Sequence, residues 1–594
     1  MGAGPYAAGV AFFLVTTGAS AFTAVLLVRR MTHLDGAPRW LALALLFTFA
    51  LVVAHMVPGI FGILTRWTAA LSAVLGLLGT RLVLGRRSVA GVDAVPGNVL
   101  TGEDGPIHAR LIAGIGAAAI AAFVAGYYRT EITHSVSSDD MLNFHLPLVA
   151  NWIQGHSFWP VVDLLPYDTT GNYPQNGDVL MLAGVLPWRG EAFARLTVVP
   201  YVGLTGLATY GLARELRADR GRAALMACVV TATPILLLSG VASALPDVVM
   251  YGTFGAGLVF LTRCARTLAT SDALLAGLGL GIAFGTKWYA VPAVVAVLFL
   301  FGVALLFRAR DRRAIRTLAL TSGAVAVAGG FWLVRNAVES GSPFFPAGWL
   351  PIGARSDVGN PAPRSDFPIL HYLFDGTLIR HVILPDELRA FGIGGALLLL
   401  GTLVAAALAA RWARRGDRAA ASVLGVVAAA LVLALVYIVT PNTASGFEGH
   451  PVLVYYSARY LVPAAIPAAA ALAWVATRAG RAGLVIDILA AAAIADGLRR
   501  AFDLPLGTIV VGALVIGALA ALALGLARVA HASPGWLAAS LATLMAFVVV
   551  GGYVVQHRYA DHRLRGDDAA IDYFLDHARE GDGVGLAEQW SVLP

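Results

Sequence analysis

The chain has 594 residues, of which 58% are hydrophobic and 13% are charged, and its mean hydropathy is +0.76. Soluble domains carry about 25% charged residues, so this composition excludes an ordinary soluble protein. The formal net charge is +7. The arginines lie in short turns between apolar runs, which argues against a nucleic-acid-binding surface and for a polytopic membrane protein.

Apolar runs long enough to cross a bilayer recur along the chain, since a crossing of about 30 Å takes about 20 helical residues. We predict an all-α polytopic membrane protein with about 13 to 16 transmembrane helices, of which 272–286 and 482–498 are short for full crossings. The predicted spans are 6–28, 39–63, 67–85, 110–127, 191–213, 222–241, 247–265, 272–286, 289–307, 316–336, 390–410, 419–440, 458–477, 482–498, 506–527 and 534–555.

Arginine-rich turns alternate with longer polar loops along the chain. Examples are RELRADRGR at 214–222 and RARDRRAIR at 308–316. Under the positive-inside rule these turns are cytoplasmic. Arg499 and Arg500 break the pattern, which leaves the topology of 478–506 open. Five segments are predicted on the opposite, extracytoplasmic side: the N-terminus, the first large loop 128–190, the second loop 337–389, the loop 441–457 and the tail after 556.

The first apolar segment has no basic region before it and no small-residue cleavage site, so we expect a retained helix and not a signal peptide. Cys228 and Cys264 lie within or at the ends of predicted helices and indicate neither a disulfide nor a metal cluster. Richness in alanine and arginine with almost no lysine is typical of a GC-rich bacterial genome. We therefore expect a multi-pass protein of the bacterial plasma membrane.

The C-terminal tail 557–594 contains DDAAIDYFLDHAREGDGVGLAEQW. This pattern predicts an amphipathic helix, a Gly-Asp-Gly turn and the start of a strand. It resembles the beginning of a small extracytoplasmic α/β domain that follows a transmembrane domain over 1–556.

The first large loop begins with SSDDMLNFHLPLVANW, and long loops of this kind tend to be functional. Trp152, Phe158 and Trp159 are predicted to anchor it at headgroup depth. An amphipathic helix at the membrane interface is predicted by apolar residues at helical spacing, namely Leu142, Leu146, Val149 and Trp152.

Two adjacent acids, Asp139 and Asp140, open this segment, and they have two interpretations. Serine and aspartate are favoured at helix N-termini, where their oxygens accept free N–H groups and their charge suits the helix dipole. Alternatively, acids at a membrane surface followed by His145 are candidates for acid–base chemistry. The local sequence leaves both interpretations open.

The segment DMLNFHLPLVANW, followed by YPQNGDVLML at 173–182, resembles the Asp-x-x-x-aromatic-His-x-Pro segment of GT-C glycosyltransferases. The closest branch depends on phospholipid carriers and includes relatives of protein O-mannosyltransferases and aminoarabinose transferases. The resemblance implies that Asp140, four residues before Phe144, is the catalytic acid in the first external loop. Many members have Glu directly after this Asp, whereas this chain has Met141, so a two-carboxylate or metal-assisted site is not supported.

Further segments in the same order extend the resemblance over roughly residues 110–475 and imply a GT-C-type helix bundle. Each one puts candidate donor- or substrate-binding residues at the predicted outer face. These are Asp247 in ALPDVVMYGTF, Lys287 in GLGLGIAFGTKWYAVP, Arg335 and Asn336 in WLVRNAVESGSPFFP, and Arg459 and Tyr460 in YYSARYLVP.

Lys287 is the single lysine among 42 basic residues of the Lys and Arg types. A chain that uses arginine everywhere else indicates that this site prefers a compact ammonium to a planar guanidinium. The alternative is a side chain that snorkels to the interface, which arginine would do equally well. Asp247 could likewise cap its helix, and Arg335 could be an ordinary interfacial charge.

The sequence shows no nucleotide-sugar motif and no P-loop, so an activated sugar would arrive on a lipid. As the resemblance implies, Asp140 would act as general base on an acceptor hydroxyl of a glycan, lipid or protein, with inversion at the anomeric carbon. Lys287, Arg335 and Arg459 would neutralise the departing polyprenyl phosphate. Asp139, His145, Tyr173, Gln175 and Asp247 would line the substrate side. No cofactor is indicated, and a divalent metal is left open.

Two other classes compete with this hypothesis. A transporter or flippase of lipid-linked glycans would place ionisable residues at mid-membrane, where we find chiefly His55 and Asp487. A polysaccharide polymerase or ligase would share the chemistry and the location and would differ in its acceptor.

Overall fold

The computed structural model describes residues 2–86, 104–134, 136, 138–162, 170–308, 312–345, 367–501, 504–532 and 534–562. In this part of the chain the protein is all-α, apart from a two-residue hairpin that pairs Gly446–Phe447 with His450–Pro451. The predicted α/β start in the tail lies beyond residue 562 and so outside the described residues, as does 346–366 of the second loop.

The helices follow the predicted spans closely, and each predicted span overlaps at least one of them. The first half comprises α1 (Ala3–Val28), α2 (Gly36–Ile60), α3 (Arg66–Arg86), α4 (Ile107–Glu131), α5 (Leu146–Gly155), α6 (Asn176–Val185), α7 (Ala194–Val198), α8 (Pro200–Glu215), α9 (Arg220–Thr231), α10 (Pro234–Leu237), α11 (Asp247–Thr267) and α12 (Thr270–Phe284). The second half comprises α13 (Ala290–Arg308), α14 (Arg312–Gly329), α15 (Phe331–Glu339), α16 (Gly376–Leu378), α17 (Leu384–Ala413), α18 (Arg418–Val439), α19 (Val454–Ser457), α20 (Val462–Arg478), α21 (Ala482–Ala501), α22 (Leu506–Ala532) and α23 (Pro534–His562).

Within the described residues, ten helices are long and apolar enough to cross a membrane, or thirteen if each bent helix pair counts as one span. The chain is therefore a multi-pass membrane protein, and this count meets the predicted range only at its lower limit. One reason is that predicted spans break. The span 222–241 bends by 65° between Thr231 and Pro234, because proline lacks an N–H donor and disfavours helix in the residue before it.

The short helix α12 was predicted as incomplete, and it has 15 residues. Its glycines allow neighbouring backbones to approach closely, as small residues do in membrane bundles. A Cβ on Gly277 would lie 2.3 Å from the Thr321 carbonyl oxygen of α14, and one on Gly279 would lie 2.7 Å from the Thr253 carbonyl oxygen of α11. This packing fixes the helix end that leads into Lys287.

The first loop enters the protein through an irregular turn. Met141–His145 is π-helical, and the Leu146 N–H bonds back to the Met141 carbonyl, five residues earlier. Pro147 follows in the first turn of α5 and has no N–H to continue an ordinary helical ladder. The wider turn leaves Phe144 and His145 buried.

A helix forms where the amphipathic helix was predicted, but two of its proposed anchors do not reach lipid. Trp152 and Phe158 are each 0% exposed, so the prediction that they anchor the loop among lipid headgroups is wrong. Trp152 stacks on Trp332 of α15 with ring centroids 5.9 Å apart, and Phe158 meets the same Trp332 at 6.0 Å. The apolar face of α5 packs on the bundle because facing helices offer aromatic partners there. Only Trp159 is partly exposed, and its indole N–H donates to the Ile60 carbonyl at 2.8 Å.

Arg499 and Arg500, which break the predicted charge alternation, share an acidic partner. Asp496 lies one turn earlier in α21, 3.6 Å from Arg499 and 2.8 Å from Arg500. Local pairing reduces the charge that these arginines present to the membrane.

The predicted topology can be tested by cysteine labelling, because Cys228 and Cys264 are both buried and should contribute little labelling of their own. Asp139 and Arg415 are both exposed and lie in segments predicted on opposite sides of the membrane. We expect Asp139→Cys to react with a membrane-impermeant maleimide in intact cells. Arg415→Cys should react only after permeabilisation. The reverse pattern would invert the topology.

Candidate functional site

Side chains from five separate segments meet at the end of the bundle opposite the arginine-rich turns. They come from the π-helical turn and the residue before it, from α6, from the start of α11, from the turn between α12 and α13, and from the turn before α20. We call this group the polar cluster: Asp140, His145, Asp178, Asp247, Lys287, Tyr289 and Arg459.

Asp247 is the centre of the polar cluster and is 0% exposed. Its carboxylate lies 3.3 Å from Lys287 Nζ and 3.5 Å from Arg459 Nε. The Tyr289 hydroxyl donates to it at 2.8 Å. A buried carboxylate is tolerated only when such partners replace its water shell. Asp247 therefore fixes the positions of both cations.

Asp140 is the reachable acid of the polar cluster. Its side chain is 33% exposed, whereas Asp247 and Asp178 are 0% and 1% exposed. The Arg459 guanidinium donates to Asp140 Oδ2 at 2.8 Å, and Asp140 makes no side-chain capping bond to its helix. Of the two interpretations of Asp140, this geometry favours the site over the cap.

The charge state of Asp140 follows from opposing effects on its pKa. Burial raises the pKa of this carboxyl, but Arg459 and then Lys287 lower it further than burial raises it. The pKa is thus held below its ordinary value, so the carboxylate is ionised at neutral pH. A proton acceptor must be in this form.

His145 links Lys287 to a second buried acid. Its Nδ1 is hydrogen-bonded to Asp178, and its Nε2 lies 3.2 Å from Lys287 Nζ. An ammonium can only donate, so Nε2 must carry the lone pair and Nδ1 the proton that is donated to Asp178. Burial chiefly lowers the pKa of His145, in keeping with a neutral ring. The pair Asp178–His145 thereby orients Lys287.

Asp178 was missed by the sequence reasoning, although it lies in the quoted segment YPQNGDVLML. The signal was available, because an acid inside an apolar segment is expensive to bury and needs a partner. Tyr289, two residues after Lys287, was likewise not among the predicted site residues. Its ring stacks on that of predicted Tyr460 at 4.2 Å, which joins Tyr460 to the edge of the cluster.

Three other predicted residues lie together in a second network, which we call the loop clamp: Arg335, Asn336 and Gln175. Arg335 is fully buried, and its Nη1 donates to Gln175 Oε1 at 3.0 Å. Asn336 donates to the Asn172 carbonyl at 2.7 Å. Arg335 and Asn336 thus hold the segment 170–175 against α15. The ring of Tyr173, in this segment, lies 6.1 Å from the ring of Phe144. The loop clamp therefore shapes the wall beside the polar cluster.

Asp139 is exposed, whereas Asp140 is partly buried. Among the residues that the structure describes, no group of three or more His, Cys, Asp or Glu side chains could hold a metal ion. The chain matches no protein-family model and no curated protein.

The neutral state of His145 gives a pH dependence with a definite sign. A histidine whose pKa falls on folding binds protons more readily in the unfolded chain, so stability is complete above the ordinary value of 6.5 and is lost as the pH falls below it. We expect the midpoint temperature of thermal unfolding of the detergent-solubilised protein to decrease as the pH is lowered from about 7.5 to about 5. His145→Gln should show a smaller fall over that range, and an identical fall in both proteins would contradict the assignment.

Proposed function

We propose that this protein is an integral membrane glycosyltransferase of the GT-C type. It moves a sugar from a polyprenyl-phosphate donor to an acceptor hydroxyl at the extracytoplasmic face. The observation that carries the proposal is the polar cluster, in which a partly exposed carboxylate, Asp140, pairs with Arg459, and a second cation, Lys287, shares Asp247 with Arg459. A base and an anion-binding pair are the two requirements of such a transfer.

The reaction uses these groups in one displacement. Asp140 accepts the proton of the acceptor hydroxyl while the oxygen of that hydroxyl attacks the anomeric carbon of the donor sugar. The bond between that carbon and the phosphate oxygen breaks, the electron pair stays with the polyprenyl phosphate, and the anomeric configuration inverts. Arg459 and Lys287 stabilise the charge that develops on the leaving phosphate. Asp247, which is fully buried, holds the two cations in place.

A transporter of lipid-linked glycans is the less favoured class. Asp487, an acid within a predicted span, is held 3.1 Å from Arg222 and 3.1 Å from His108. A buried acid with two fixed partners is typical of a structural ion pair and not of a mobile carrier site. A polymerase or ligase of lipid-linked glycans remains compatible with the same cluster.

Replacing the proposed base tests the function directly. We expect Asp140→Asn to lower sugar transfer by about 10²- to 10⁴-fold, the usual contribution of a general base. The measurement is release of sugar from a polyprenyl-phosphate donor by purified protein in detergent, without any membrane gradient. Glu448→Gln is the matched control, because Glu448 is an exposed acid of the loop 441–457 and the change is chemically the same.

Normal turnover by Asp140→Asn would refute the role of Asp140. A wild-type protein that releases no sugar in detergent would instead favour the transporter.

A further inference from the structure

We propose that Arg459 exchanges partners during the reaction: Asp140 holds it while the donor is absent, and the donor phosphate displaces Asp140 on binding. Donor binding would thus free the base for the acceptor. This inference rests on the proposed function and adds an order of events to it.

Arg459 is held by more contacts than Asp140, so Asp140 is the partner that can move away. Its backbone carbonyl accepts a hydrogen bond from the Tyr251 hydroxyl at 3.0 Å, and its Nε faces the buried Asp247 at 3.5 Å. Its side chain is 17% exposed, against 33% for Asp140. Asp140 lies at the start of an irregular turn, whereas Asp247 begins a long helix. Asp140 is therefore the replaceable partner.

The hydrogen bonding around Arg459 is incomplete. Arg459 Nε and Asp247 Oδ2 are both buried, and neither makes a hydrogen bond of good geometry among the described residues. Nε faces Asp247 Oδ1 at 3.5 Å, and Oδ2 faces Lys287 Nζ at 3.3 Å. Buried polar atoms nearly always make full hydrogen bonds, so these long contacts leave Arg459 able to accept a better-placed anion. An incoming phosphate offers several acceptor oxygens to the guanidinium, which binds this group in a bidentate manner.

The charge balance of the cluster favours an exchange. With neutral His145, three carboxylates face two cations: Asp140, Asp178 and Asp247 against Lys287 and Arg459. A phosphate added beside an intact Asp140–Arg459 pair would meet a net negative charge. If Asp140, the acid with access to water, moves away, the phosphate takes its place beside the Arg459 guanidinium.

The exchange also explains how a paired acid can serve as a base. While Arg459 is its partner, the pKa of Asp140 is held low and the carboxylate is a weak proton acceptor. Loss of the guanidinium and the approach of a phosphate anion both favour the protonated form. The acid would become more basic only when a donor is present, which limits reaction of the site to the loaded protein.

The test compares binding of a polyprenyl monophosphate, without sugar, to purified wild-type protein and to Asp140→Asn, by native mass spectrometry in detergent. The variant lacks the competitor for Arg459, so we expect it to bind the lipid about 5-fold more tightly, as the loss of a partly exposed ion pair allows. Asp140→Ser should do the same, and Arg459→Met should weaken binding. Glu448→Gln should bind as the wild type does.

Unchanged or weaker binding by Asp140→Asn and Asp140→Ser would overturn the exchange, while sugar transfer by the wild type would leave the proposed function standing. A wild-type protein that neither binds the polyprenyl monophosphate nor transfers sugar would overturn both. Equal tightening for phosphatidylglycerol, used as a second lipid, would show that Arg459 attracts any anionic lipid and would contradict a site that recognises the polyprenyl phosphate.

Discussion

The cost of burying charge in an apolar bundle is the constraint on which this structure depends. Asp247 is fully buried and is tolerated because Lys287, Arg459 and Tyr289 surround its carboxylate. Lys287 and Tyr289 come from the turn between α12 and α13, and Arg459 comes from the turn before α20, so compensation of one charge draws the ends of α11, α12, α13 and α20 together. Removing one partner from such a group leaves an uncompensated charge, which typically costs about 3–5 kcal/mol.

The same rule operates at the opposite end of the bundle with a different result. Glu215 of α8 is buried and pairs with Arg263 and Arg266 of α11. Asp272 of α12 also pairs with Arg263, so two acids match two cations here and lock neighbouring helices. The polar cluster differs because it has more acids than cations and because its partly exposed member is an acid. That imbalance supports the proposed site, whereas the arginine pairs are structural.

The single lysine acquires a physical reason from these contacts. Lys287 Nζ reaches the Nε2 of His145 and the carboxylate of Asp247, at 3.2 and 3.3 Å. A compact ammonium fits between an imidazole nitrogen and a carboxylate, whereas a guanidinium is larger and planar. The sequence pattern singled out this residue before its partners were known, because its rarity is visible in composition alone. Asp178 is not rare in this way: its one sequence signal was its place in an apolar segment, and its bond to His145 shows what it does.

The sequence by itself determined the class of the molecule, the approximate positions of its helices and most members of the polar cluster. Long apolar runs predict membrane-spanning helices, and the few charges beside them are costly enough to indicate a site. The sequence did not determine which residues contact one another in the folded protein. Trp152 was predicted to anchor the loop at headgroup depth and is fully buried, and Arg335 was grouped with Arg459 although it donates to Gln175 of the loop clamp. Periodicity along one helix shows that a face is apolar but not what covers it. Only the packing of distant helices decides whether a charge meets a loop carbonyl, another charge or the open end of a site.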